Sequence, residues 1–274
     1  MPSKAYPPTR PDGEYVNRKV LAKHRILMTR AVRAFFEQQI DRVCAQICLQ
    51  LGLNKVEEPT RQAGDAVAQV DIDWQPLAEE VEPFLVEVAV AGGELAMNQL
   101  NDEAYGRFGE GMRVRAREWA KQRAAELVGM RREGEFYVPN PNASWAIDTT
   151  TREMLRSEVE KAIREGDSTN ELASRLRNAF AFSGERARMI ARTEVARADS
   201  YGALVGWAES GVVNGKFWLT AEDDRVSKAC TGNQLVGPVP LDWDYGEGVF
   251  APPQHPNCRC TLLPEVMEEL EQVK

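Results

Sequence analysis

Apolar residues recur every three to five positions along most of the chain, as they do in helices that bury one face. From Arg18 to Leu51, the residues Val20, Leu27, Ala31, Phe35, Ile40, Val43, Ile47 and Leu51 keep that rhythm. They predict one long helix, with Gly52 as its stop. Asn54 to Asp73 loses the rhythm and reads as a loop. Asp73 is placed to cap the next helix, with Pro76 in its first turn, where a missing N–H costs nothing. That helix runs toward Asn101, with a weak point at Gly92-Gly93. Another helical stretch covers Arg107 to Arg132, and Gly134 to Asn142, with Pro139 and Pro141, breaks the pattern. Helices are then expected from Asp148 or Thr149 to Glu165, from Asp167 or Ser168 to Phe180, and from Ser183 to about Ser210. Gly166 and Gly211 mark two of the stops. Past Gly211 the texture changes: Lys216-Phe217-Trp218-Leu219 reads as a strand, and the remainder is rich in Gly, Pro and aromatic residues. The expected fold class is α+β. A mostly helical N-terminal region, 1–145, precedes a helical stalk and a small mixed α/β lobe, 146–274.

Composition narrows the function classes. The chain has 274 residues, 43% hydrophobic and 28% charged, values of a soluble globular protein with one or two domains. Its net charge of −8 makes general nucleic-acid affinity poor, so any DNA contact must come from a local basic patch. Arg113, Arg115, Arg117, Lys121 and Arg123 supply one candidate, facing only Glu110, Glu118 and Glu126. The same segment also reads as a solvated helix face laced with i,i+4 pairs. Residues 1–17 form a Pro-rich, polar arm without the apolar core of a secretory signal. The longest apolar stretch, Val81 to Met97, is interrupted by Glu82, Glu87 and Glu94 and is too short and charged to span a bilayer. Five cysteines, an odd number without an export signal, point to reduced thiols. Cys44 and Cys48, four apart on the first helix, read as small core residues.

The segment Ala251 to Cys260, A-P-P-Q-H-P-N-C-R-C, gathers chemistry. It holds three prolines, one of the chain's two histidines and two of its five cysteines. His255, Cys258 and Cys260, joined by Cys230 from upstream, give a Cys/His donor set that suits a structural zinc. The alternative is a buried thiol cluster with His255 hydrogen-bonded to backbone. Thr220 is placed to cap a short helix, with Asp223 at the capping-box position and Cys230 at its end. In the helix after Ser183, Glu194 falls on the apolar stripe of Ala187, Ile190, Ala198 and Val205. A carboxylate there needs a partner, and Arg225 or Arg259 from the lobe are the candidates. Glu194 with the His255/Cys258/Cys260 cluster is also the only set on which a hydrolase or nucleotide-modifying activity would rest. Walker A, G-x-S-x-G and G-x-G-x-x-G motifs are missing from the sequence, as is H-x-E of the zinc deaminases.

In chain order these features are A-R-T-E (Arg192, Thr193, Glu194), a W-x-T strand from Trp218, then D-D-R-V with Asp224 and Arg225. A cysteine, a glycine turn and P-P-x-H-P-N-C-R-C, with Pro253, Asn257 and Arg259, complete the order. Over Arg152 to Pro264 this resembles the phage Mu F-like family of head morphogenesis, or minor head, proteins. The family often has C-x-x-C after D-x-R, where this chain has Ser227 and Cys230. The resemblance implies a structural, non-enzymatic minor capsid protein in the virion head, and in the host cytoplasm during assembly. Implied partners are the portal, scaffold or major capsid protein and packaged DNA, with no membrane. A stand-alone nucleic-acid binding module is a further alternative, resting on the basic segment.

Overall fold

The computed structural model describes residues 18–52, 59–100 and 102–266, so the arm expected at 1–17 lies outside the described residues. The fold is α+β and mostly helical. Its helices are α1 (Arg18–Gly52), α2 (Pro59–Ala68), α3 (Gln75–Asn98), α4 (Asp102–Leu127), α5 (Ile147–Glu165), α6 (Thr169–Arg177), α7 (Gly184–Ser210) and α8 (Lys228–Leu235). Two small antiparallel sheets accompany them among the described residues. One is the hairpin of β1 (Met130–Glu133) and β2 (Phe136–Pro139). The other has three strands in the order β4-β3-β5: β3 is Val213–Leu219, β4 Val239–Pro240 and β5 Thr261–Val266.

The chain forms two compact units, and each draws on residues from both sides of residue 145. Among the described residues, one comprises 18–25, 84–120 and 192–266; the other 26–83 and 121–191.

In the second unit, Met28, Val32, Phe36, Val43 and Ile47 of α1 are buried at helical spacing. The loop expected at Asn54 to Asp73 instead contains α2. Its first residue is Pro59, which is tolerated there, and Ala63, Ala66 and Val67 give it a buried face that packs on α5. Two and a half turns are too few for periodicity to stand out from a polar background. The break expected at Gly134 to Asn142 is likewise structured. Glu133 pairs with Phe136, leaving a two-residue turn whose Gly134 takes φ 63°. Arg131 and Arg132 therefore lie on a strand, and α4 stops at Leu127. Ser168 forms a full capping box with Glu171. The helix it starts ends at Arg177 rather than Phe180, and a 3-10 turn spans Phe180–Phe182. Buried Arg186 donates to the hydroxyls of Thr150 and Thr151 (2.7 Å each) and to the Ala181 (2.6 Å) and Ile147 (3.3 Å) carbonyls. Burial pushes its guanidinium down to about 10.

In the first unit, α3 and α7 approach backbone to backbone. A Cβ on Gly202 would stand 1.9 Å from the Ala89 carbonyl oxygen, and one on Gly206 2.6 Å from that of Gly93. The Gly92-Gly93 pair is thus a packing surface within a continuous helix rather than a weak point. The small residues let two helices touch where a side chain would hold them apart. His24, buried on α1, donates from Nδ1 to the Val20 carbonyl (2.8 Å) and from Nε2 to Glu87 on α3 (2.7 Å). That bond holds the Glu87 carboxyl below its ordinary range.

Candidate functional site: the C-terminal knuckle

The lobe is organised by β3 and its buried side chains. Trp218, fully buried, meets the Tyr245 ring edge-on at 4.9 Å. Around it cluster Ala96, Trp207, Val213, Cys230, Cys258 and Leu262. Lys216 on the same strand is also fully buried. Its ammonium donates to the carbonyls of Leu241 (2.7 Å), Trp243 (2.8 Å) and Phe250 (2.7 Å), and lies over the rings of Tyr245 and Phe250. One lysine thus gathers both ends of the 241–250 loop. Burial pushes it down to about 8, while the carboxylates of Asp242 and Asp244 act the other way. Within the loop, Asp244 accepts from the amides of Gly246 (2.8 Å) and Gly248 (3.2 Å), fixing a tight turn. A lysine inside an alternating strand pattern gave no sequence sign that it would be buried.

Leaving β3, the chain turns through Thr220 to Val226. The capping box expected from Thr220 and Asp223 does not form. The Thr220 hydroxyl accepts from the Glu222 amide (3.3 Å), and Asp223 is occupied by arginine. The cap of α8 is Ser227, whose hydroxyl accepts from the Cys230 amide at 3.2 Å. Cys230 therefore sits in the first turn of α8, not at the end of a preceding helix. Arg259 grips Asp223 with both terminal nitrogens, Nη1 to Oδ2 and Nη2 to Oδ1, each at 2.5 Å. This fork holds the Asp223 carboxyl far below the usual range and raises Arg259. Arg225 adds a longer contact to the same carboxylate at 3.4 Å, and Asp224 is exposed. Of the D-D-R-V run, then, Asp223 makes the connection, a role that spacing alone could not assign between two adjacent aspartates.

The knuckle brings three metal-competent atoms together. Cys230 Sγ lies 3.4 Å from His255 Nε2 and 3.7 Å from Cys258 Sγ, and all three donor atoms fall within 4.8 Å of one another. Cys230 and Cys258 are buried and His255 half-buried. The Cys258 amide donates to the His255 carbonyl (3.1 Å), closing a turn in which Asn257 takes φ 60°, a conformation asparagine tolerates. Cys260 is half-buried, and its thiol does not lie within 4.8 Å of all three donor atoms. The neighbouring Cys260 thiol lowers that of Cys258, and the Cys258 thiol raises that of Cys260. The Pro252-Pro253 peptide is cis, and both rings are buried.

The A-R-T-E helix meets this knuckle through Thr193, whose hydroxyl accepts from the Asn257 amide at 3.1 Å. Glu194 is 2% exposed and lies 3.5 Å from Arg197 Nε on its own helix. That corrects the expectation of a partner from the lobe: Arg259 and Arg225 are engaged with Asp223. A long arginine side chain three residues on reaches back to the stripe. Arg192 is half-buried on α7.

Residues 153–263 match the family model described as Phage Mu protein F like protein. Over this segment the chain is similar to the Mu F-like phage head proteins. No curated protein and no solved structure gives a significant match. The Mu F-like segment contains the A-R-T-E residues, β3, Asp223, the Ser227 cap and the whole knuckle. At Ser227, where the family often has the first cysteine of C-x-x-C, the side chain is a helix cap.

The basic segment ahead of the Mu F-like match is largely committed to ion pairs. Arg113 bonds Glu94 (3.0 Å), and Arg115 bonds Glu209 (2.7 Å). Arg117 is exposed and Lys121 half-buried. Arg123 is 4% exposed and donates to Glu126 (2.7 Å) and the Ser144 carbonyl (3.0 Å), so it leaves the contact surface expected for it. Counting charges along α4 could not reveal that this one faces inward. Cys44 is buried, and burial pushes its thiol up to about 11; Cys48 is half-buried and raised for the same reason.

Proposed function

We propose that this chain is a minor capsid component of a tailed phage or prophage, acting as an assembly and docking protein rather than an enzyme. It associates with the portal protein, alongside scaffold or major capsid protein, during procapsid assembly. It is enclosed in the head and aids DNA packaging or delivery, passing through the host cytoplasm on the way. The observation that carries this reading is the joint between Thr193 and Asn257, 64 residues apart, inside the segment that matches the family. The two ends of the family pattern meet in one hydrogen bond, so the pattern reads as the specification of a folded module. Glu194, buried beside Arg197, supports a structural role for the acidic member of A-R-T-E. Residues 146–274 would supply the head-morphogenesis module and residues 1–145 the partner-binding part. Arg117, exposed on α4, is available to an acidic partner surface or to packaged DNA. No helix among the described residues is long and apolar enough to cross a membrane, in line with a reading that needs none.

The test is a pull-down of the full chain with the cognate portal protein. Retention of the portal at physiological salt supports the reading. Failure to associate, combined with turnover of a phosphoester or glycosidic substrate that Glu194→Gln abolishes, would replace it with the enzyme alternative.

A further inference from the structure

We propose that Cys230, His255, Cys258 and Cys260 form a structural zinc site that clamps α8 to the knuckle. Tetrahedral zinc, with bonds of about 2.3 Å to sulfur and about 2.0–2.1 Å to nitrogen, sets its ligand atoms at fixed separations: about 3.8 Å between two sulfurs and about 3.5 Å between sulfur and nitrogen. Cys230 and Cys258 stand 3.7 Å apart, and Cys230 and His255 Nε2 stand 3.4 Å apart. Two edges of the ligand polyhedron are therefore already at the lengths the ion requires.

The histidine is also set in the metal-binding tautomer. Its Nδ1 lies 2.9 Å from the Pro256 carbonyl, which only accepts, so Nδ1 carries the proton. Nε2 is left with its lone pair directed at the thiols. A carbonyl on the far nitrogen is the usual outer partner of a metal-bound imidazole. Cys260, two residues past Cys258, does not stand within 4.8 Å of all three donors; drawn in as the fourth donor it would complete a Cys3His set, a composition of structural rather than catalytic zinc. Soft thiolates with one imidazole select zinc over magnesium or calcium, which take oxygen ligands. Ser227 occupies the position from which a C-x-x-C pair would supply a thiolate. Its hydroxyl is spent on the Cys230 amide, so here the third sulfur comes from the C-x-C end instead.

Elemental analysis of the full chain, purified without a histidine tag or chelator, tests the assignment. About one zinc per chain is expected, as for a single four-ligand site. Cys230→Ser, His255→Ala, Cys258→Ser and Cys260→Ser should each lower bound zinc at least tenfold, whereas Cys44→Ser and Cys48→Ser should retain it. Because a knuckle variant could misfold, the wild-type chain is also stripped and titrated with cobalt(II). Tetrahedral ligand-field bands with thiolate charge transfer, displaced by zinc, are expected. Zinc-free protein with no such bands overturns the proposal. So does a Cys230–Cys258 disulfide in the purified chain, or zinc that survives in His255→Ala and Cys258→Ser.

Discussion

Replacing Gly202 with alanine puts a methyl group where two helices already touch. On a solvent-facing helix position the change would stabilise by up to about 1 kcal/mol, because alanine gives up less backbone freedom than glycine. At Gly202 the new carbon would lie 1.9 Å from the Ala89 carbonyl oxygen and 2.8 Å from its carbonyl carbon. Ordinary contact begins at about 3.5 Å, so relief demands movement of roughly 1.5 Å. Both obstructing atoms are backbone, and no rotamer change relieves them. The helices must part, and the contacts of Gly206 with Gly93 and Ala96 beside it go too. Overpacking costs about 1–3 kcal/mol where side chains can adjust. Here the upper end of that range outweighs the propensity gain, for a net loss of about 2 kcal/mol or more. Gly232 on α8 is the control: nothing lies within 4 Å of its would-be Cβ, and Gly232→Ala should stabilise by about 0.5–1 kcal/mol. Urea unfolding of both variants, followed by tryptophan fluorescence and far-UV circular dichroism, measures the difference. A Gly202→Ala protein as stable as the parent would refute the close approach of α3 and α7.

Three further outcomes are expected. Lys216→Met strips three carbonyls of their donor and should cost about 3 kcal/mol, with faster amide exchange across 241–250 as the local signature; unchanged exchange there would remove the lysine from its organising role. Desolvation raises Asp199, half-buried on α7, to about 7 against the pull of the Arg25 guanidinium, so the folded state holds a proton that the unfolded chain releases near pH 4. Stability should therefore fall as pH rises from about 4 to 7, by up to about 4 kcal/mol, and Asp199→Asn should flatten that slope in pH-dependent denaturation. The Arg259 fork lowers Asp223, with the opposite sign: its contribution is present above the ordinary aspartate range and disappears as pH falls through the depressed value. Asp223→Asn should remove that part of the acid loss, seen as a smaller drop in melting temperature between pH 5 and pH 2 in the variant.

Long helices and their ends were legible because the signals are local. The period of the α1 apolar residues, the Ser168 capping box, and the stops at Gly166 and Gly211 (φ 73° and 68°) each depend on a few neighbouring residues. The short elements were not legible. α2 has too few turns to display a period, and the β1–β2 hairpin hid behind its proline and glycine residues. At the site, the identities of the H-x-x-C-x-C donors could be read from composition alone. What they touch could not: the fork from Arg259 to Asp223, the Thr193 bond to Asn257 and the burial of Lys216 and Arg123 are all set by tertiary placement. Glu194 was readable as buried and in need of a partner. Its partner was not, because the reach of the Arg197 side chain, rather than the position of its Cα, brings it to the stripe.

The most direct measurement of the central claim is the copy number of this chain in procapsids assembled with and without the portal. Quantitative mass spectrometry of gradient-purified particles reads it. The account predicts a few copies per particle, reduced to background when the portal is omitted. A chain that stays in the unassembled fraction whether or not the portal is present would contradict it.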